Sequence, residues 1–144
     1  MKRHPALQTF SREHQHTLSL AQQIIRAVKT EDQPLLFDLK GKVYRFYKDE
    51  LIPHFEHEEA SFFKIIADNY PQYHQLIEPY LAEHKTLLAM AKRIGELSED
   101  DHLSDELEAF AILLKSHTRK EERELFPMIE DCFSDSEFKL LREL

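Results

Sequence analysis

Four stretches of this chain repeat an apolar residue every three or four positions, and each carries a histidine on its apolar face. Such spacing places side chains along one side of an α-helix, so it constrains the fold more than any other feature. The first stretch holds Leu7, Phe10, His14, Leu18, Ala21, Ile25 and Val28, and stops at Glu31-Asp32-Gln33-Pro34. The second holds Leu36, Leu39, Val43, Tyr47, Leu51, His54, Glu58 and Ile65, and ends near Asp68-Asn69-Tyr70-Pro71. The third runs through Ile77, Tyr80, His84, Leu87, Leu88, Ala91 and Ile94 to Gly95, before a polar turn at Ser98-Glu99-Asp100-Asp101. The fourth holds Leu103, Leu107, Phe110, Leu114, His117, Glu121, Leu125 and Met128. Ser134-Asp135-Ser136-Glu137 then reads as a capping box that opens a short last helix, Phe138 to Leu144.

Long helices joined by short connections must lie antiparallel to their neighbours. The expected fold is therefore all-α: one domain over 1–144, an up-down-up-down four-helix bundle with a short C-terminal helix. Pro53, Pro79 and Pro127 each remove a helical hydrogen bond and are expected to kink or end a helix. With 144 residues, the chain can bury one core. Two glycines are too few for a phosphate-cradling loop, and a net charge of −8 argues against a nucleic-acid surface. No apolar run approaches the ~20 residues of a membrane span, and no apolar stretch follows the basic start Met1-Lys2-Arg3-His4-Pro5. Cys132 stands alone, so no internal disulfide forms, and a reducing cytoplasm is the expected location.

The histidines share more than a face. In an antiparallel hairpin, residues at equal depth are equidistant from the turn. The midpoint of 14 and 54 is Pro34. The midpoint of 54 and 84 falls at Asn69, and that of 84 and 117 between Asp100 and Asp101. All three land on the breakers, so His14, His54, His84 and His117 are expected to meet in one layer. Glu58 and Glu121 lie one turn away, displaced by about 6 Å. Carboxylates in an apolar interior need a partner, and no Lys or Arg on an inner face supplies one. A metal ion does. Imidazole and carboxylate together suit iron, manganese or zinc, and six such residues suit two ions better than one.

The second and fourth stretches also repeat a longer pattern. His54-Phe55-Glu56-His57-Glu58-Glu59-Ala60-Ser61-Phe62-Phe63 matches His117-Thr118-Arg119-Lys120-Glu121-Glu122-Arg123-Glu124-Leu125-Phe126 as His-x3-Glu-Glu-x2-apolar-Phe. Together with Arg12-Glu13-His14 and Glu83-His84, this set resembles the hemerythrin-like (HHE cation-binding) family across nearly the whole chain. The resemblance implies a four-helix bundle with a non-haem iron site, usually of two irons though one is possible, that meets dioxygen or related small oxidants. It carries His14, His54, Glu58, His84, His117 and Glu121 over as metal ligands, with Glu58 and Glu121 as bridges. Oxygen-carrying hemerythrins use His-x3-His on the third helix. Here Tyr80 stands in the first of those positions, which argues against simple reversible oxygen carriage. It leaves open a labile second metal, a Tyr80 phenolate ligand, or a free position for peroxide or nitric oxide.

Blander readings exist for each residue. A single inward histidine is a core residue satisfied by a neighbour, but one per helix at matched depth is hard to explain that way. Glu59 and Glu122 read as solvated members of surface pairs, and Tyr80 as a core tyrosine. His16 faces outward and His57 flanks the face; both read as groups that could orient a ligand, with a replacement ligand as the alternative for either. His74/Glu78 and His102/Glu106 repeat the four-residue spacing far from the layer and read as exposed. Phe62 and Phe126 are core filler that could shield the site, and Cys132 is inert. The expected partner is a small diatomic or peroxide ligand, for sensing, storage or detoxification. No catalytic residue is named, and weak consumption of an oxidant is left open. The alternatives are an iron-donating repair protein and a metal-free helical interaction module.

Overall fold

The computed structural model describes residues 2–98 and 102–143, and these form an all-helical bundle. Of the expected turn at 98–101, residues 99–101 lie outside the described residues, as does Leu144. A 3₁₀ turn, Pro5–Leu7, leads into α1 (Gln8–Val28). Asp32 caps α2 (Gln33–Phe46) by accepting the Leu35 N–H at 3.1 Å, and Pro34 sits in the first turn, where its missing donor costs nothing. The second stretch continues through a π-helical turn, Tyr47–Leu51, into α3 (Ile52–Ala60) and α4 (Phe62–Asn69). Next come α5 (His74–Glu96) and α6 (Leu103–Lys120). A second π-helical turn, Glu121–Leu125, joins α6 to α7 (Phe126–Cys132), and α8 (Asp135–Glu143) follows.

The helical path continues past all three prolines. Pro53 and Pro127 each follow a π-helical turn by two residues. Where proline withholds its N–H, the wider turn lets the helix pass the missing bond without ending. Pro79 lies inside α5, which runs on to Glu96. The one sharp interruption of the second stretch is at buried Ser61, with φ −114° and ψ −101°, whose hydroxyl donates to the His57 carbonyl at 2.6 Å. Nothing in the apolar pattern marked it.

The buried faces are close to those expected, with small rotations. In α1 the core takes Thr17, Leu20 and Ile24, while Leu18 and Ile25 are half-buried. In the second stretch Phe46 is buried and Tyr47 half-buried; the step of five from Phe46 to Leu51 crosses the π turn. Helix α1 packs on α6 and α2, and α5 packs on α6 and α2. The apolar side chains form two clusters. One contains Leu20 to Val28, Leu36 to Phe55, Leu87 to Leu97 and Leu103 to Leu114. The other contains Ala6 to Phe10, Phe62 to Ile66, Ile77 and Tyr80, and Leu125 to Leu141. On every stretch the inner histidine or glutamate falls in the gap or at its edge, so the polar layer separates two apolar cores.

The C-terminal capping box forms: the Ser134 N–H donates to Glu137 Oε1 at 2.8 Å and the Glu137 N–H to Ser134 Oγ at 3.2 Å. The helix it opens starts at Asp135, three residues before Phe138. No helix among the described residues is long and apolar enough to cross a membrane.

Candidate metal centre

Six side chains from four stretches converge between the two apolar clusters. His14 (α1), His54 and Glu58 (α3), His84 (α5), His117 (α6) and Glu121 (second π turn) are all at most 7% exposed. Each imidazole turns Nε2 inward. His14 Nε2 lies 3.1 Å from His54 Nε2, 3.3 Å from Glu58 Oε2 and 3.0 Å from Glu121 Oε1. His54 Nε2 lies 3.0 Å from Glu58 Oε2. On the far side, His84 Nε2 lies 3.1 Å from Glu58 Oε1 and 3.7 Å from Glu121 Oε2, and His117 Nε2 lies 3.3 Å from Glu121 Oε2. Each carboxylate therefore reaches both halves of the centre.

The outward nitrogens are held just as closely. His14 Nδ1 donates to Glu122 at 2.7 Å, His54 Nδ1 to Glu13 at 2.7 Å, His84 Nδ1 to Glu59 at 2.7 Å and His117 Nδ1 to Glu83 at 2.9 Å. A carboxylate can only accept, so in neutral imidazole the proton sits on Nδ1 and the Nε2 lone pair points inward. Four lone pairs and two carboxylates then face one another across about 3 Å. Five buried atoms have no hydrogen-bond partner among the described residues: Glu58 Oε1, His84 Nε2, His117 Nε2 and both oxygens of Glu121. Orphans of this kind are rare in a native interior and call for an explanation.

The electrostatics point the same way. Burial opposes charge on His14, yet the carboxylates of Glu121, Glu122 and Glu58 overcome it and push its pKa up to about 12. His54, despite burial, rises to about 9 through Glu58 and Glu13, and His84 to about 10 through Glu121 and Glu58. Burial pushes Glu58 and Glu121 upward, but the surrounding imidazoles hold both below the ordinary carboxylate range. The cluster attracts positive charge, which protons can supply singly and metal cations more completely.

The donor atoms fall into two sets, His14–His54–Glu58–Glu121 and Glu58–His84–His117–Glu121, each with its atoms within 4.8 Å of one another. The sets share both carboxylates. Two imidazoles and shared carboxylate oxygens are a borderline-to-hard donor set that fits a divalent or trivalent transition ion. Aromatic rings cover the centre: Phe55 stacks on His84 at 3.8 Å and Phe126 on His14 at 5.5 Å. Phe62 stands edge-on to Phe126, one layer further out.

The other candidates are placed differently. The Tyr80 hydroxyl donates to the Lys120 carbonyl at 3.4 Å, and burial raises its pKa to about 12, so it is a protonated core tyrosine beside His117. His16, His74 and His102 are exposed, and His57 stacks on Phe10 at 4.5 Å. Glu59 and Glu122 were expected to be merely solvated. Instead both hold a histidine, as do Glu13 and Glu83, which the sequence marks only as neighbours of His14 and His84. Each of the four is directly adjacent in sequence to one of the six inner residues, and that adjacency was the available signal.

A family model described as the hemerythrin HHE cation-binding domain matches residues 6–129. No curated protein and no solved structure gave a match.

Proposed function

The chain belongs to the hemerythrin HHE cation-binding family, and from that premise we propose that it is a non-haem iron protein. In this reading it holds two ions, and binds or reacts with dioxygen, peroxide or nitric oxide in sensing, storage or detoxification. His14 and His54 serve one ion, His84 and His117 the other, and Glu58 and Glu121 bridge them. One domain over residues 1–144, working in the cytoplasm, belongs to the same proposal. The observation that carries it is the pair of donor sets that share Glu58 and Glu121. Iron bound there would supply open coordination positions and a one-electron couple.

The chain's own residues account for the rest. Glu13, Glu59, Glu83 and Glu122 keep the imidazole protons on Nδ1, so every Nε2 is free to donate its lone pair. Phe55 and Phe126 exclude water and limit side reactions. A single ring nitrogen from each of four stretches leaves the centre poorer in imidazole than an oxygen carrier's, which favours reaction or sensing over reversible carriage.

The up-down-up-down topology is part of this reading. Its support is the order in which the stretches meet the two apolar clusters. The first and third pass from the Phe10–Tyr80 cluster to the Leu20–Leu114 cluster, and the second and fourth pass the opposite way. Alternating order is what antiparallel neighbours produce.

Metal quantification of the purified chain, with absorption spectra before and after air, tests the proposal. Close to two irons and a spectrum that changes with oxygen are expected. His117→Ala or Glu58→Ala should abolish stoichiometric iron, and full iron content in either variant refutes the assignment. Iron donation to a damaged partner is a second reading. It is favoured by a cavity of about 350 Å³ that reaches His54 and is lined by Glu13, Thr17, Asp49, Glu50, Pro53 and His57. Transfer of iron from the loaded protein to an apo-protein separates the two. A metal-free module would have to satisfy the five orphaned atoms with protons on the inner nitrogens alone.

A further inference from the structure

The four outer carboxylates do not each serve a histidine of their own helix. Glu13 on the first stretch holds His54 on the second, and Glu59 on the second holds His84 on the third. Glu83 on the third holds His117 on the fourth, and Glu122 on the fourth returns to His14 on the first. The links close into a ring with one sense of travel. We propose that Glu13, Glu59, Glu83 and Glu122 are positioning residues that act as one directional circuit, each helix orienting the imidazole of the next. The proposal rests on the metal reading above and adds the device that makes the site competent.

Helix geometry explains why the ring closes. Each outer carboxylate sits beside an inner residue, in the pairs Glu13-His14, Glu58-Glu59, Glu83-His84 and Glu121-Glu122. Adjacent helical residues are rotated by about 100°, so the outer member leans toward one flanking helix. On the first and third stretches it precedes its inner partner; on the second and fourth it follows. Reversing the helix direction and reversing the order together restore the same rotational sense in space. An alternating pattern on antiparallel neighbours therefore aims all four carboxylates the same way round the bundle. Had the order been uniform, adjacent carboxylates would lean toward or away from each other, leaving some histidines with two partners and others with none.

The ring is itself supported unevenly. Glu122 accepts from the Ser11 hydroxyl at 2.9 Å and lies 3.6 Å from the Arg3 guanidinium, and Glu83 lies 3.6 Å from the Lys120 ammonium. The Glu13 and Glu59 side chains are 44% and 49% exposed, so these two can be altered with little risk to folding. They make the cleanest test positions.

The test uses the full chain with Co(II), followed by its visible absorption, and with Zn(II), followed by histidine ring NMR. Each of Glu13→Gln, Glu59→Gln, Glu83→Gln and Glu122→Gln should weaken Co(II) binding by about 10- to 100-fold, with unchanged helical circular dichroism. In the Zn(II) protein, Glu13→Gln should move the Nδ1–H resonance of His54 and spare that of His14. Glu59→Gln should likewise move His84 alone. Glu56→Gln and Glu124→Gln, exposed carboxylates outside the ring, should change neither readout. Wild-type affinity in the ring variants, an equal loss in the two controls, or a shift on the wrong histidine would overturn the circuit while the metal reading stands. Failure of the unaltered chain to bind any Co(II) or Zn(II) would remove both.

Discussion

At the scale of single residues, the inner imidazoles combine burial with carboxylates on both sides. For His54, His84 and His14 the pKa therefore stands above the ordinary 6.5, at about 9, about 10 and about 12 respectively. A raised pKa stabilises the folded, metal-free protein fully below pH 6.5, and that contribution is lost as pH climbs through each folded value. Metal-free protein is expected to lose melting temperature progressively as pH rises from about 6.5 through 9 and 10 toward 12, read by calorimetry. The same protons must leave when metal enters, so metal uptake at pH 7 should acidify a weakly buffered solution, and apparent affinity should rise with pH. No proton release would mean that the rings are neutral before loading. Tyr80 makes the opposite kind of prediction. Because its hydroxyl serves the Lys120 carbonyl, Tyr80→Phe should keep full metal content and spectrum and cost only about 0.5–1.5 kcal/mol of stability. Loss of a visible charge-transfer band in that variant would make the phenolate a ligand after all.

At the scale of elements, helix ends were legible because they obey local chemistry. The Asp32 cap with Pro34 behind it, and the reciprocal Ser134–Glu137 bonds, need only residues three or four apart. Ser134→Ala should weaken the protein by about 1 kcal/mol, seen as a small drop in denaturant midpoint with an unchanged slope. No change would mean that α8 is held by Phe138 and Leu141 alone. The π-helical turns and the Ser61 break were not legible. A proline announces a missing donor, but whether the chain kinks, stops or widens depends on the neighbouring helices and on which side chains must stay in register. Here the turn at 121–125 keeps Glu121 in the polar layer and Leu125 and Phe126 in the apolar cluster beyond it.

At the scale of the whole molecule, the polar layer divides the apolar interior, and cation binding and folding should support each other. Saturating metal is expected to raise stability by about 2.7 kcal/mol at a hundred times Kd, and a chelator should reverse the rise in melting temperature. A melting temperature indifferent to metal would place the ions elsewhere. Phe126 ties the layer to the Phe10–Tyr80 cluster through contacts with His14, Phe10 and Phe62. Phe126→Ala should cost about 3–5 kcal/mol and weaken metal binding as well, whereas an equally buried aromatic far from the layer should affect stability alone.

The helical class, the four apolar faces and the matched depth of His14, His54, His84 and His117 could be read from the chain because they depend on spacing along it. Periodicity assigns a face, and equal distances from a turn assign a height. The tertiary structure alone decided that the outward nitrogens are held by Glu13, Glu59, Glu83 and Glu122, and in which direction. Those contacts join residues 25 to 108 positions apart. Which neighbour a half-exposed carboxylate reaches depends on how two helices are rotated against each other, and rotation is set by the packing of both cores rather than by either helix.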